Sequence, residues 1–179
     1  MPSILTHYLL SYIIASRIVR KRIALLISIF GVLPDIDALL HVHRWITHSL
    51  VLLCVIAIPI VIMFSSISKL KRFRILVLTA IALYCIHIVA DLFVASTPML
   101  WPITNYSYYI KFEINGVITS SAIYLKPLIA VYTTRTRFDT YSRIEGPIAT
   151  PTSIFFALAI LVLEIVSVLN KRFPKRIGY

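Results

Sequence analysis

The chain of 179 residues is 59% hydrophobic and only 14% charged, and its mean hydropathy is +0.90. These values differ from those of ordinary soluble domains and exclude an intrinsically disordered chain. Lysine and arginine number 18 against 7 acidic residues, which gives a net charge of +11. The basic residues fall in short clusters between apolar runs rather than on one amphipathic face, so we expect no nucleic-acid partner. The composition indicates a membrane protein.

Five apolar runs follow one another along the chain, and a helix needs about 20 residues to cross the hydrocarbon core of a bilayer. They cover Ile4–Ser16, Ile23–Leu40, Ile46–Ile67, Ile75–Ala95 and Thr152–Leu169. The first run corresponds to only about 20 Å of helix, so the sequence leaves open whether it spans. We predict an all-α polytopic membrane protein with about 4–5 transmembrane helices.

Clusters of basic residues separate these runs and set the expected orientation. They are Arg17/Arg20/Lys21/Arg22, Lys69/Lys71/Arg72/Arg74 and Lys171/Arg172/Lys175/Arg176. Five crossings place all the clusters on one side, which the positive-inside rule assigns to the cytoplasm. We therefore expect a multi-pass protein of the cell membrane with its N-terminus outside and its C-terminus in the cytoplasm.

The segment from Ser96 to Pro151 is predicted to form a small extracytoplasmic cap, inserted before the last helix of a single membrane domain (residues 1–179). Its runs Tyr106–Ile114 and Val117–Leu125 are rich in β-forming residues and are separated by Asn115-Gly116. This dipeptide tolerates the positive φ that a type I′ turn requires. The pattern predicts a β-hairpin, and it leaves open whether the hairpin serves as a lid or as an interface.

All five histidines and three of the seven acidic residues fall in four short stretches. These stretches are Thr6-His7, Leu33–Asp37, His41–Ser49 and His87–Asp91. Counted outward from the basic clusters at about 1.5 Å per helical residue, all four reach the outer half of the membrane. We therefore expect them to lie together near the outer face.

His87 and Asp91 are four residues apart, so a helix projects both from one face, as two ligands of one ion require. An ionised side chain inside a membrane is costly and needs a partner, and Arg44 is the cation closest to the polar stretches. Histidine nitrogens and aspartate oxygens suit zinc, or manganese and iron with more oxygen donors. The alternative is a hydrogen-bonded polar plug between helices. The predicted ligands are His48, His87, Asp91 and one of Asp35 and Asp37.

We assign Asp35 as the ligand of the aspartate pair. Asp37 is left as a second ligand, an orienting residue or a general base. Arg44 is predicted either to clamp an anionic group or to anchor at the lipid headgroups. Thr47 or Ser49 is expected to cap the next helix.

In these residues the sequence resembles the YdjM-like family of membrane-bound, predicted metal-dependent hydrolases. The family pattern is Thr-His, Pro-Asp-Ile-Asp, His-Arg-Gly-x-Thr-His-Ser, His-x3-Asp and Trp/Tyr-Pro, in that order. This sequence has it at Thr6-His7, Pro34–Asp37, His43–Ser49, His87/Asp91 and Trp101-Pro102. It departs from the pattern at Trp45, where the family usually has glycine, and at Ser96–Pro98, where glycines are usual. The resemblance implies a membrane-bound metal-dependent hydrolase.

The order of these motifs is also similar, more distantly, to that of zinc-dependent phospholipase C and P1-type nucleases, which are all-helical phosphoesterases. That similarity implies one ion between Asp35, His48, His87 and Asp91, and a second ion held by His7 with Asp91. The later His-x3-Glu motif of those enzymes has no counterpart here. One or two ions are therefore expected rather than three.

The sequence thus predicts a hydrolase in which a divalent metal, zinc as the first expectation, activates water against a phosphoester or other ester of a lipid or lipid-linked substrate. Its predicted metal ligands are His7, Asp35, His48, His87 and Asp91, and its predicted catalytic residues are Asp37 and Arg44. One alternative is a non-enzymatic membrane protein with a structural metal or polar cluster, whose cap docks a protein that the sequence does not identify. A transporter is a further alternative, although the polar groups crowd towards one side.

Overall fold

The computed structural model describes residues 3–42, 44, 46–119, 122–140, 142 and 147–172. His43 and Trp45 of the family pattern, and the basic residues Lys175 and Arg176, lie outside these residues. The α-helices are α1 (Ile4–Ile18), α2 (Lys21–Ile27), α3 (Leu50–Ser66), α4 (Arg74–Asp91) and α5 (Pro151–Arg172). Shorter 3₁₀ segments cover Ser28–Gly31, Leu33–Leu40, Ile46–His48 and Lys71–Phe73. The strands are β1 (Tyr106–Ile118) and β2 (Ile123–Arg135).

Helix α1 lies at the centre of the helical part and packs against α2, α4 and α5. It begins after Ser3, whose hydroxyl accepts a hydrogen bond from the Thr6 amide at 3.2 Å, as an N-cap does. Near its start the Leu5 amide donates to the Ile148 carbonyl at 3.0 Å, and near its end Lys21 forms an ion pair with Glu164. Helices α1 and α5 therefore run in the same direction.

Small side chains let the helices approach closely. Ala15 and Ala24 are fully buried and form a core cluster with Leu83, Ile27 and Tyr12. A methyl group on Gly31 would overlap the side chain of Ser11 on α1. Glycine at position 31 therefore brings the backbone of Ser28–Gly31 directly against α1.

The predicted span Ile23–Leu40 is not a single helix. Helix α2 ends at Ile27, and two 3₁₀ segments, Ser28–Gly31 and Leu33–Leu40, follow it. Pro34 opens the second segment, where proline cannot continue an α-helical hydrogen-bond ladder. Its backbone turns back towards α4 and buries Asp37 completely. The close approach at Gly31 and the burial of the Asp37 carboxylate therefore outweigh the tendency of this apolar run to form one continuous helix.

Helices α3 and α4 pack against each other and are joined by a short turn. The N-terminal end of α3 and the C-terminal end of α4 lie at the same end of the bundle as the start of α1, because His7 contacts Asp91 and His48 contacts His87. The turns after α1 and α3, which carry the first two basic clusters, are at the opposite end. The orientation of the bundle relative to the cell stays a prediction.

The predicted fold class, all-α and polytopic with about 4–5 spans, is wrong. Within the described ranges, two helices are long and apolar enough to cross a membrane: Lys71–Asp91 and Pro151–Val168. Helices α1 and α3 are apolar but have only 15 and 17 residues. The structure also contains an antiparallel sheet whose two strands have 13 residues each. Hydropathy found the apolar runs but not the breaks that shorten their helices.

A β-hairpin is present, as predicted, but its strands and turn differ from the expected ones. Asn115 pairs with Lys126, and Gly116 pairs with Leu125, inside the ladder. The connection instead follows Ile118, and the Thr119 hydroxyl bonds both the amide and the carbonyl of Ala122. On one face the observed register pairs apolar residues with one another from Ile110 and Val131 to Ile118 and Ile123, and such cross-strand pairs outweigh the turn preference of Asn-Gly.

The base of the hairpin is attached to the end of α4. The Ile110 amide donates to the Leu92 carbonyl at 2.7 Å, and the Tyr108 amide donates to the Thr97 carbonyl at 3.0 Å. The Thr97 amide donates back to the Tyr108 carbonyl. These bonds occupy the outer edge of β1 next to the helix that carries His87 and Asp91.

Candidate metal centre

Four side chains from three separate parts of the chain converge at the end of the bundle. Asp35, His48, His87 and Asp91 each offer one ligand atom, and these atoms all lie within 4.8 Å of one another. His48 Nε2 is 3.6 Å from Asp35 Oδ1 and 3.5 Å from Asp91 Oδ2. His87 Nε2 is 3.5 Å from Asp35 Oδ1 and 3.9 Å from Asp91 Oδ2. Both histidines thus present the same ring atom to the same two carboxylates.

The donor set and its spacing fit a divalent cation. Ligands bonded tetrahedrally to zinc are about 3.4 Å apart, close to the separations between these nitrogens and oxygens. Two imidazoles with two carboxylates also suit manganese or iron, so the identity of an ion is open. Within the described part of the chain, His87 Nε2 is buried and has no hydrogen-bond partner. A buried ring nitrogen left in this state is costly unless a ligand satisfies it.

His87 is held in the orientation that a metal ligand needs. Its Nδ1 is 2.7 Å from the carbonyl oxygen of Gly31, so Nδ1 carries the proton and donates it to that oxygen. Nε2 is then the nitrogen that faces Asp35 and Asp91, and it is the one available to a metal ion. A carbonyl on the far ring nitrogen is a usual partner of a metal-binding histidine. The close approach at Gly31 therefore serves the site as well as the packing.

His48 is oriented by Asp37 in an equivalent way. Its Nδ1 lies 3.1 Å from Asp37 Oδ2, and the Thr47 hydroxyl donates to the same oxygen at 2.8 Å. Of the roles left open for Asp37, this position favours the orienting role, because the carboxylate lies on the side of the ring away from Nε2. A catalytic role of Asp37 stays a prediction.

His7 reaches the cluster from α1. Its ring stacks on that of His87 with centroids 4.0 Å apart, and its Nε2 is 3.4 Å from Asp91 Oδ1. Asp91 Oδ2 faces His48 and His87, so the two oxygens of Asp91 face different histidines. This arrangement has the form expected of a carboxylate between two ion positions, and the assignment of His7 as a ligand stays a prediction.

Arg44 is buried beside the cluster, which contradicts the alternative that it anchors at the lipid headgroups. Its Nη2 is 3.0 Å from Asp91 Oδ2, and its Nη1 donates to the Thr97 hydroxyl at 3.3 Å. Arg44 adopts a positive φ of 58° and His41 one of 57°, which turns the loop inwards. The guanidinium thus partly neutralises Asp91 at Oδ2, whereas His7 lies at Oδ1.

Two site residues outside the candidate spans have coupled charges. Burial by itself would lower the pKa of His48, but its contacts with Asp35, Asp37 and Asp91 outweigh burial and raise the pKa to about 10. Burial likewise opposes ionisation of Asp35, but contacts with His48 and His87 hold the pKa of this carboxyl below its usual range. A cation bound at His48 Nε2 would displace the proton from that nitrogen.

Neighbouring polar residues have structural roles, some of which the sequence did not predict. Ser49 caps α3 by accepting from the Leu52 amide, and its hydroxyl also donates to the Trp101 carbonyl. This bond connects the Trp-Pro element of the family pattern to the site. The contacts of the Gly31 carbonyl with His87 and of Thr97 with Arg44 were not predicted. For Gly31, the sequence feature that could have indicated its role is an isolated glycine three residues before Pro34.

The chain matches the family described as YdjM inner membrane protein over residues 1–171. It belongs to the YdjM inner membrane protein family. Membership agrees with the two candidate spans and indicates membrane association. No match is found among curated proteins or among solved structures. The YdjM family and the possible metal-binding cluster are therefore the firm basis for a function.

Proposed function

We propose that this member of the YdjM family is a metal-dependent hydrolase that cleaves a phosphoester or other ester of a lipid or lipid-linked substrate at the membrane boundary. The observation that carries the proposal is the convergence of His48 Nε2 and His87 Nε2 on Asp35 and Asp91. A divalent ion held there would supply an activated water and stabilise the developing oxyanion.

The four residues are not equally enclosed, which supports a site open on one side. Asp35 has 18% of its side chain exposed, whereas His48, His87 and Asp91 are buried. A catalytic site keeps one position open to water or substrate, whereas a structural site is closed by protein. The side of Asp35 is the expected direction of approach.

Arg44 supports an anionic substrate. Its side chain is 6% exposed, and its Nε has no hydrogen-bond partner within the described part of the chain. Arginine binds phosphate and carboxylate oxygens with two parallel N–H donors. In this proposal Arg44 holds the anionic group of the substrate while Asp91 remains within its reach.

An apolar groove of about 630 Å³ beside the site supports a lipid substrate. Leu33 and Ile36 line one wall, and α3 and α4 form the other two. Thr47 and Tyr84 lie at the end nearest the site, where Thr47 bonds Asp37 and the Tyr84 hydroxyl donates to the Thr47 carbonyl. A polar end next to an apolar groove matches the shape of a lipid with its headgroup at the site.

Metal analysis of the purified protein in lipid nanodiscs tests the metal part of the proposal. We expect near-stoichiometric divalent metal in the wild type and loss of most of it in His87→Gln, which keeps a polar side chain of similar size. The matched control is His41→Asn, which removes an exposed histidine outside the cluster while keeping a residue that tolerates the left-handed backbone. Wild-type protein that is folded but metal-free would overturn the proposal.

The reaction is tested on the same samples with acyl-chain esters and lipid phosphodiesters. We expect the wild type and His41→Asn to release product, and His87→Gln to be inactive. Tightly bound metal without turnover of either substrate class would instead favour the structural-metal alternative.

A further inference from the structure

The hairpin has two chemically different faces. Side chains alternate between the faces of a strand, and paired residues share a face. Phe112 pairs with Ile129, and Ile118 pairs with Ile123, so they belong to one face. Between Ile110 and Ile118 this face is apolar throughout, and it also contains Ile110, Ile114, Gly116, Leu125, Pro127 and Val131. The opposite face is mixed: it carries the charged residues Lys111, Glu113 and Lys126 together with apolar and aromatic residues such as Leu128 and Tyr132.

The apolar face is exposed along most of its length. Ile129 is 68% exposed, Leu125 71% and Ile123 78%. The apolar part from Ile110 to Ile118 is about 30 Å long, so this is a large continuous surface. A two-stranded hairpin is at best marginally stable in water, so its apolar face needs a cover.

The attachment of the hairpin places this face near the membrane boundary. The candidate span Lys71–Asp91 ends one residue before Leu92, whose carbonyl accepts the hydrogen bond from the Ile110 amide. The apolar face therefore begins at the level where the span ends. From there the next apolar pair is Phe112 with Ile129.

We propose that the apolar face of the hairpin rests on the lipid bilayer, at the boundary between headgroups and acyl chains. The lysines of the other face then point towards the phosphates and the water, as in an amphipathic helix at an interface. The hairpin is placed at the boundary and not deeper, because among the described residues β2 pairs with β1 alone, and the hydrocarbon core does not tolerate the backbone groups of an open sheet edge. It is independent of the proposed hydrolase activity.

Lipid is favoured over a second copy of the chain because the attachment at Leu92 already brings the face to the bilayer. Lys126 and Lys111 also give the water-side face cations that anionic headgroups attract. A hairpin that instead paired with a second copy would make its burial depend on protein concentration. The two possibilities therefore differ in a measurable way.

Fluorescence quenching in nanodiscs tests the proposal. In a Cys54→Ala/Cys85→Ala background, single Ile129→Cys and Leu128→Cys variants are labelled with an environment-sensitive fluorophore. These neighbours are both exposed aliphatic residues and lie on opposite faces. We expect bromine-labelled acyl chains to quench the label at position 129 several-fold more than at position 128.

Equal, weak quenching at both positions would overturn the proposal. Blue-shifted emission at position 129 that depends on protein concentration and is insensitive to brominated lipid would assign the face to a second copy, and would also overturn it. Thermal unfolding of the labelled variants serves as the folding control, because it does not depend on the proposed metal or activity.

Discussion

The candidate metal centre and the hairpin lie next to each other but differ in which groups they bury: the centre buries polar groups, and the hairpin exposes apolar ones. At the centre, polar groups are buried and partner one another within a few ångströms, as with His48 at 0% exposure and Asp91 at 2%. On the hairpin, apolar groups are exposed, and residues such as Ile118 have 78% of their side chain uncovered. Each region is costly by itself, and each indicates a component outside the chain: a cation at the centre and, in our proposal, lipid at the hairpin.

Whether burial or exposure is favourable therefore depends on the chemistry of the group and on its surroundings. Asp91 is buried with an arginine and three histidines around it, and these groups depend on one another. Removal of one member leaves the charge of the others buried without a partner. An exposed isoleucine costs free energy in water but not in contact with lipid. Substitutions can show how strongly stability and metal affinity depend on residues of the centre compared with residues of the hairpin.

Replacing Asp91 should have the largest effect on stability. Asp91→Ala removes the carboxylate that contacts Arg44, His7 and His48, and breaking a buried ion pair of this kind costs about 3–5 kcal/mol. The free energy of unfolding in lipid nanodiscs measures it. The hairpin variant Glu113→Ala removes the exposed ion pair with Lys111 and should leave stability unchanged. Equal stability of the two variants would remove the distinction between the regions.

The Gly31→Ala variant should destabilise the protein by about 1–3 kcal/mol, because the added methyl group overlaps Ser11 and forces α1 and the 3₁₀ segment apart. The shift also moves the carbonyl that holds His87, so metal affinity should fall with stability. Thermal unfolding and metal titration measure the two effects. Adding Ser11→Gly should restore part of both, since it opens the space; a purely additive double variant would contradict this explanation.

Replacing Asp37 should have a smaller effect that is specific to the metal. Asp37→Asn keeps the size of the side chain but weakens the charged contact with His48 Nδ1, which we expect to lower metal affinity about 10–100-fold with unchanged stoichiometry. Competition with a chelator measures the affinity. The exposed Asp139 gives the control Asp139→Asn, for which no change is expected. A stoichiometry reduced in Asp37→Asn would instead make Asp37 a ligand.

Much of the candidate site could be predicted from spacing and composition. His87 and Asp91 share a helix face at any packing, and polar residues are so rare in this chain that four polar stretches had to partner one another. The role of Asp37 could not be predicted, because the sequence does not show which side of the His48 ring the carboxylate meets. The burial of Arg44 depends on a positive φ and on Thr97, which is distant in sequence.

The fold was harder to predict than the site. Hydropathy marks Ile23–Leu40 as continuous, but the backbone breaks at Gly31 and Pro34 because close packing against α1 and burial of Asp37 stabilise the 3₁₀ path. Asn115-Gly116 is a strong local turn signal, but the apolar pairs of a longer register outweigh it. Both errors come from long-range contacts that local patterns do not contain.

Residue types and their spacing are enough to show that the protein is apolar, carries basic clusters between its helices and holds a small set of histidines and aspartates suited to a cation. These properties are sums over residues or spacings along one helix, so they do not depend on the fold. The three-dimensional packing was needed to show which helices are long enough to cross a membrane, where the hairpin turns and which atoms of the cluster face one another. These depend on contacts between residues far apart in the chain, where packing and burial outweigh local preference.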